Sequence, residues 1–157
     1  MLIATLAELG LALPPYPVLP DHLPIVTHSS FGGCIYVSGQ IPDIPAHPPL
    51  RGRLGADVDI DTGRDAARRA TLNALAVLEH AADGLDRVRR IVKVVGFVRS
   101  THDFTDQPTV MNAGSELLVH LWGHEFGKHA RSAVGVASLP FGVPVEIELV
   151  AELEDPR

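Results

Sequence analysis

The sequence is poor in cysteine, in aromatic residues and in long apolar runs. Cys34 is the only cysteine, so no disulfide can form within the chain, which fits a reducing compartment. Aromatic residues make up 5% of the chain, which leaves few side chains for stacking on nucleic-acid bases. No uncharged stretch approaches the roughly 20 residues that span a bilayer, and the apolar N-terminus lacks the basic start of a secretory signal. We therefore expect a cytoplasmic protein with no membrane partner.

Positive charge is also scarce. Lysine and arginine number 13 against 19 aspartates and glutamates, a net charge of −6 that repels nucleic acid and anionic membranes. The densest basic cluster could face RNA, but without interleaved aromatic residues it is more typical of a solvated surface that balances the acidic excess. Its members are Arg87, Arg89, Arg90 and Lys93, with Arg64, Arg68 and Arg69 earlier in the chain. Nucleic acid is therefore not an expected partner.

The pattern of the 157 residues predicts one α+β domain in the order ββαβαββ. A short N-terminal helix and a proline-rich extended arm occupy residues 1–22. Two short strands, Ile25–His28 and Cys34–Val37, flank Gly32-Gly33 as a hairpin. A helix begins in a capping box at Thr62 and ends near Gly84, and a second helix covers about 107–122. The remaining strands are predicted at 91–98, 130–139 and 143–153.

The last predicted strand alternates between apolar and acidic residues. Val145, Ile147 and Leu149 form one face, and Glu146 and Glu148 lie on the other. Periodicity alone favours reading the glutamates as a solvated edge. The preceding strand places the small residues Ala133, Gly135 and Ala137 on one face, where a neighbouring segment can pack closely.

Four segments, in this order and spacing, resemble the Rid family, also described as YjgF-like or L-PSP-type proteins. They are Tyr36-Val37-Ser38-Gly39-Gln40, Asp103-Phe104 leading to Val110-Met111-Asn112, Ala130-Arg131-Ser132-Ala133-Val134, and Leu139-Pro140 followed by Val145-Glu146-Ile147-Glu148. The resemblance covers roughly residues 23–153, and the longer N-terminal arm resembles one branch of the family.

The resemblance implies a fold, an assembly and an activity. The fold would be a two-layer chorismate-mutase-like α+β domain across 1–157, with about six strands in a mixed sheet and two main helices on one face. The assembly would be a homotrimer with ligand clefts between subunits. The activity would be hydrolysis of reactive enamine and imine acids to 2-keto acids and ammonia, without a cofactor.

The family's functional residues map onto named positions of this chain. Arg131 matches the carboxylate-binding arginine, whose planar guanidinium can donate two parallel hydrogen bonds to an acid. Glu148 is matched to the acidic residue near the attacking water. Ser38 and Gly39 match residues that line the cleft, and Asn112 matches a helical asparagine close to it.

Two positions of the pocket depart from the family pattern. Ile25 stands where an aromatic residue often closes the deaminase pocket, and Ala133 stands where many members have a cysteine. Neither change removes the carboxylate grip, but both alter the shape of the pocket and so bear on the choice of substrate.

Simpler interpretations of these residues stay open. Without its surrounding motif, Arg131 would read as a surface or interface ion-pair residue, and Glu148 divides evenly between catalysis and structural pairing. His120 and His124 have a spacing that can serve a metal, with His129 beyond, but Glu125 is the only nearby carboxylate and we expect no metal.

Three functional hypotheses follow. The first is hydrolytic deamination of small enamine or imine carboxylic acids by Arg131 and Glu148. The second is a non-catalytic trimer that binds small carboxylate metabolites in the same cleft. The third, RNA cleavage or binding, is disfavoured by charge and composition.

Overall fold

The computed structural model describes residues 1–154, which form helices and strands in the order αββαβαββ. The helices are α1 (Leu2–Glu8), α2 (Ile60–Ala82) and α3 (Gln107–Gly127). The strands are β1 (His28–Phe31), β2 (Cys34–Gln40), β3 (Val88–Arg99), β4 (Ala130–Val136) and β5 (Val145–Leu153). The predicted α+β class and the order after the N-terminal arm are therefore confirmed.

The described strands form one mixed sheet of five strands in the order β1-β2-β5-β3-β4. β3 and β4 are parallel, as expected for strands joined by a helical crossover, and the other neighbours are antiparallel. The expectation of about six strands is wrong by one. The segment around Leu54 makes only isolated bridges, to Val58 and Ser100, and does not extend into a strand.

Helices α2 and α3 cover one face of the sheet, and alternation along β5 shows which face is buried. Val145, Ile147 and Leu149 are fully buried, as predicted, whereas Glu148 between them is exposed. The buried residues join those of α2 and α3 in a single core. Alanines of α2 let that helix lie close to the sheet, and Ala67, Ala70 and Ala74 have no exposed surface.

No described element covers the opposite face of the sheet, which we call the open face. Tyr36 and Val134 on this face are 46% and 42% exposed. Strand pairing assigns its members, which are Tyr36, Lys93, Val95, Phe97, Ser132, Val134, Glu146, Glu148 and Val150. Several of them are apolar, so this face has the composition of a surface that another chain covers.

Helix α2 begins earlier than predicted. Its N-cap is Asp59 rather than Thr62, and the Asp59 carboxylate accepts a hydrogen bond of 2.7 Å from the backbone N–H of Thr62. This bond keeps the pKa of Asp59 below its usual value. The predicted end near Gly84 is close, because the left-handed Asp83 terminates the helix.

The first predicted strand is displaced along the chain. β1 pairs His28 with Val37 and Phe31 with Cys34, so the hairpin turns at Gly32-Gly33 as predicted, but the strand lies after Ile25 and Val26. These two residues are 60% and 61% exposed. Their β-branched side chains have high strand propensity, but the turn at Gly32-Gly33 sets the register and leaves them without a strand partner.

The N-terminal arm folds back onto the core. Leu6 of α1 is 1% exposed, and the carboxylate of Asp86 accepts a hydrogen bond of 2.9 Å from the backbone N–H of Leu2. Further along, Tyr16 stacks on His80 of α2 with ring centroids 3.9 Å apart. The predicted short helix is confirmed. No helix within residues 1–154 is both long and apolar enough to cross a membrane.

Candidate active site

Arg131 lies on β4, on the face of the sheet that α3 covers. Its Nη1 donates hydrogen bonds of 2.9 Å to Asn112 Oδ1 and 3.1 Å to Ser115 Oγ, and both acceptors are on α3. Its Nη2 makes a long contact of 3.5 Å with the carbonyl oxygen of Pro108. The structure therefore brings together Arg131 and Asn112, which the sequence placed in one site.

The guanidinium of Arg131 has no carboxylate partner among residues 1–154. The ion pairs found there involve other cations, and the three acceptors of Arg131 are an amide, a hydroxyl and a carbonyl oxygen. Neutral acceptors fix the group in place without compensating its charge. Half-buried and unneutralised, it is a site where an anion gains a strong, charge-assisted interaction.

Ser115 and His129 extend the network behind Arg131. Ser115 Oγ lies 3.0 Å from His129 Nε2, and His129 Nδ1 lies 2.7 Å from the carbonyl oxygen of Gly127. Burial lowers the pKa of His129, the Gly127 contact partly offsets this, and the charge of Arg131 lowers it further. His129 is thus held neutral near pH 7.

Ser38 and Gly39, at the end of β2, adjoin Glu146 instead of Glu148. The Ser38 hydroxyl donates a hydrogen bond of 2.6 Å to the carbonyl oxygen of Val26. A Cβ at Gly39 would lie 1.9 Å from Glu146 Oε1, so only glycine leaves room for this carboxylate. Burial and the charge of neighbouring Glu148 raise the pKa of Glu146.

Glu148 is exposed on the open face. It lines a small hollow of about 140 Å³ together with Tyr36, Lys93 and Val95. It pairs across the sheet with Val95, which pairs in turn with Ser132. Adjacent residues of a strand point to opposite faces, so Glu148 and Arg131 lie on different faces of the sheet. One chain does not bring the two predicted catalytic residues together.

The two positions that depart from the family pattern lie in different surroundings. Ala133 pairs with Gly96 on the same face as Arg131 and packs against the core. Ile25 is in the exposed connector before β1, one residue from Val26, whose carbonyl oxygen receives the Ser38 hydroxyl. Ala133 therefore lies near Arg131, whereas Ile25 lies near Ser38 and Gly39 at the end of β2.

Sequence reasoning missed Ser115 and Glu146, and it considered His129 only as a metal ligand. Glu146 and Glu148 share one face of β5, so alternation alone does not distinguish them, whereas the Gly39 contact and the partial burial of Glu146 do. Ser115 lies on α3 and His129 lies just before β4, and no local sequence pattern predicts that they are in contact. Within the described chain, no three metal-binding side chains converge on one point.

Another cavity, of about 630 Å³, opens at the ends of β3 and β4. Ser100, Thr101, His102 and Gln107 line it together with Gly135. A Cβ at Gly135 would lie 2.8 Å from Ser100 Oγ, so the small residues of β4 admit this neighbouring loop. None of the predicted site residues lines this cavity.

The basic cluster is largely paired with carboxylates. Arg90 Nε lies 2.6 Å from Glu152 Oε2, and Arg89 lies 3.6 Å from the same carboxylate. On α2, Arg69 lies 2.6 Å from Asp65. This pairing fits a solvated, charge-balanced surface; that nucleic acid is not a partner stays a prediction.

Comparison with known proteins identifies relatives along nearly the whole chain. The family described as "YjgF/chorismate_mutase-like, putative endoribonuclease" matches residues 6–153. The protein TCP17 of Trypanosoma cruzi is 39% identical over 97% of this chain and 94% of its own length. The 2-iminobutanoate/2-iminopropanoate deaminase of Escherichia coli K12 is 37% identical over 82% of this chain and 86% of its own.

The fold comparison agrees with the sequence comparison. The crystal structure of Atu1372 from Agrobacterium tumefaciens, described there as having unknown function, superposes with a TM-score of 0.87 at 38% identity. The match covers 98% of this chain and 94% of that one. The predicted chorismate-mutase-like fold is confirmed, with the strand count corrected as above.

Proposed function

The chain belongs to the YjgF/L-PSP (Rid) family, and we propose that it hydrolyses small enamine and imine carboxylic acids to 2-keto acids and ammonia. Relatives named as deaminases for 2-iminobutanoate and 2-iminopropanoate support this proposal, since both compounds combine an imine with a carboxylate. The class of substrate is therefore a small 2-imino acid or its enamine tautomer, and the reaction requires only water.

The uncompensated charge of Arg131 is the observation that carries the proposal. Its Nη1 is anchored to Asn112 and Ser115, while Nη2 is only loosely engaged and no described acceptor bonds Nε. Nε and Nη2 form one edge of the guanidinium, and this edge matches the two oxygens of a carboxylate. Gripping the acid group also fixes the adjacent imine carbon for attack by water.

Glu146 is a better candidate than Glu148 for proton transfer. Water adds to the C=N carbon, both of its protons pass in turn to the nitrogen, and the C–N bond breaks to release ammonia as the oxygen becomes the carbonyl oxygen of the keto acid. A carboxyl group that takes the proton from water and returns it to nitrogen is most effective with a raised pKa, which Glu146 has. Glu146 also lies against Gly39, which the family resemblance assigns, with Ser38, to the lining of the cleft.

A site that uses both Arg131 and Glu146 requires two copies of the chain. Arg131 faces α3, whereas Glu146 pairs with Phe97 on the open face. We therefore include a homotrimer in the proposal, with the apolar open face covered by neighbouring copies and each cleft formed between two of them. The half-exposed Tyr36 and Val134 would be buried in this assembly.

A coupled assay tests the proposed activity. A dehydratase generates 2-aminoacrylate or 2-iminobutanoate, and release of the keto acid is followed with and without the protein. Arg131→Ala should reduce kcat/KM by about 100-fold or more, since a charge-assisted bidentate contact is lost. Arg87→Ala is the matched control, because this exposed arginine only approaches Asp83 at 4.0 Å. Equal activity of the two variants would contradict the proposal.

Carboxylate binding without catalysis is the second candidate. The separation of Arg131 from both glutamates within one chain favours it, because the anion site exists without an adjacent carboxyl group. The two candidates separate in one comparison: a wild-type protein that pyruvate stabilises thermally through Arg131, but that does not accelerate keto-acid release, is a binding module.

A further inference from the structure

Three hydrogen bonds connect the end of α3 to the guanidinium of Arg131. The contacts are Gly127 O to His129 Nδ1 at 2.7 Å, His129 Nε2 to Ser115 Oγ at 3.0 Å, and Ser115 Oγ to Arg131 Nη1 at 3.1 Å. In the reaction proposed above, Ser115 only anchors Nη1 of Arg131, and His129 is given no role. Their geometry nevertheless determines how Arg131 is held.

The donors and acceptors of this network follow from the carbonyl group at one end and from a neutral His129 ring. A carbonyl oxygen only accepts, so Nδ1 of His129 carries the proton that it donates to Gly127. In the neutral ring Nε2 is then an acceptor, and it takes the hydroxyl proton of Ser115. The oxygen of Ser115 is left with its lone pairs, one of which accepts the N–H of Arg131. The bond from Nδ1 to Gly127 exists in either charge state of His129, whereas the bond from the Ser115 hydroxyl to Nε2 requires the neutral ring.

The surroundings of His129 keep that ring neutral. Burial lowers its pKa most, and the nearby charge of Arg131 adds to the shift. The other titratable groups near Ser115 are Glu116, His120 and His124, which line an open cavity of about 520 Å³ with it. Glu116 is paired with Arg64 of α2 at 2.9 Å.

The charged residues on neighbouring strands do not reach this ring. On β3, Lys93 points to the open face, where its Nζ donates to Ser132 Oγ at 3.1 Å. Lys128, next to His129 in the chain, is exposed. Arg131 is thus the main charge that acts on His129.

The network engages Nη1 and leaves the Nε–Nη2 edge of the guanidinium with only the long contact of 3.5 Å from Nη2 to the carbonyl oxygen of Pro108. One hydrogen goes to Asn112 and the other to Ser115, so rotation of the group about its long axis is blocked. The weakly engaged edge, formed by Nε and Nη2, keeps a fixed direction. Without Ser115 a single contact to Asn112 would remain at Nη1, and the group could swing.

We propose that Ser115 and His129 are positioning residues that hold the Nε–Nη2 edge of Arg131 toward the substrate carboxylate, and that protonation of His129 releases this hold. This inference rests on the proposed function. When Nε2 gains a proton, it becomes a donor, so the Ser115 hydroxyl loses its acceptor and must rotate while two cationic groups bond to its oxygen. The added positive charge also repels Arg131, so the guanidinium loses its fixed orientation.

The test measures binding of pyruvate and steady-state kinetics in matched variants. Ser115→Ala should raise the Kd for pyruvate and the KM for the imine about tenfold, with a smaller change in kcat, because binding geometry is lost. Ser115→Thr retains the hydroxyl and should stay within about threefold of wild type. His129→Phe keeps a ring of similar size without the hydrogen bond and should resemble Ser115→Ala.

The dependence of pyruvate affinity on pH distinguishes a positioning role of His129 from a merely structural one. In the wild type, pyruvate affinity should fall as the pH drops below the ordinary histidine range near 6.5, because His129 then gains a proton. Ser115→Ala and His129→Phe should lack this acid limb. Tighter pyruvate binding on acidification of the wild type would overturn the inference, since added charge would then outweigh orientation.

Failure of this inference can be distinguished from failure of the proposed function. If Arg131→Ala binds pyruvate as well as the wild type, the proposed function itself is wrong. If Arg131→Ala abolishes binding while Ser115→Ala and His129→Phe keep the wild-type Kd, KM and pH profile, only the positioning role is wrong. Should either of these variants fail to fold, Ser115→Thr and the wild-type pH profile still decide.

Discussion

At the scale of residues, the two glutamates on the open face of β5 differ in their surroundings although they share a strand. Glu146 is half-buried against Gly39, and its pKa is raised by burial and by the charge of Glu148. Glu148 is exposed. A carboxyl group with a raised pKa serves acid–base chemistry near neutral pH better than an ordinary surface glutamate.

Substituting the two glutamates in turn tests this distinction. Glu146→Gln should lower kcat by about 100-fold or more, because the group that carries protons is lost. Glu148→Gln should preserve most of the activity and lower the pKa of Glu146, which shifts the pH–rate profile toward lower pH. Steady-state kinetics between pH 4 and 9 would check both. Larger losses in Glu148→Gln than in Glu146→Gln would contradict the assignment.

Glu146→Gln should lower activity without lowering the stability of the fold. A raised folded-state pKa means that the stability linked to Glu146 is complete below the unfolded pKa and is lost as the pH rises through the folded value. Glu146→Gln removes this loss, so its thermal midpoint at pH 7 should equal or exceed that of the wild type. Reduced activity with undiminished stability would mark Glu146 as a functional residue.

At the scale of elements, the N-terminal arm behaves as part of the folded core. Leu6 of α1 is almost fully buried, whereas Ile3 on the same helix is 47% exposed. The N-terminal ammonium group of Met1 and the backbone N–H of Leu2 also donate hydrogen bonds to Asp86, and both lower the pKa of that carboxyl group. The helix is short and would be marginal by itself, so its stability depends on this docking.

Two alanine substitutions in α1 measure that docking. Leu6→Ala should lower the free energy of unfolding by about 2–3 kcal/mol, since it removes a buried side chain and leaves a cavity. Ile3→Ala should have a much smaller effect, because its side chain already contacts solvent. Urea denaturation of both variants gives the comparison. Similar values for the two would show that α1 does not pack as described.

At the scale of the whole molecule, the two faces of the sheet carry different residues of the proposed site. The helices cover one face and supply Asn112 and Ser115 to Arg131. The open face presents Glu146 among apolar side chains that no described element covers. In the proposed homotrimer, a site that combines residues of both faces would form where a second copy brings its open face to the β4 side of the first.

Charge placed on the open face tests this arrangement. In analytical ultracentrifugation the wild type should sediment with roughly three times the mass of one chain. Val134→Arg should dissociate the assembly, because an unpaired charge in an apolar interface is costly, and activity should be lost with it. Val18→Arg, at a site that is 84% exposed in the arm, is the control. A monomeric wild type that retains activity would contradict the homotrimer.

Much of the architecture is determined by the sequence alone. The small apolar stripe of α2 and the alternation along β5 require a two-layer packing, because these patterns bury one face and expose the other. The order and spacing of four segments gave the resemblance to the family. That resemblance implied that Arg131 and Asn112 belong to one site.

Only the tertiary structure decided which side chains meet. Strand register placed Glu146 against Gly39, although Glu148 has the same periodicity. The turn at Gly32-Gly33 moved β1 away from Ile25, and the crossover from α3 to β4 brought Ser115 to His129 and Arg131. Periodicity reports the face of an element, whereas a contact depends on how distant elements are aligned, and that alignment arises from packing the whole chain.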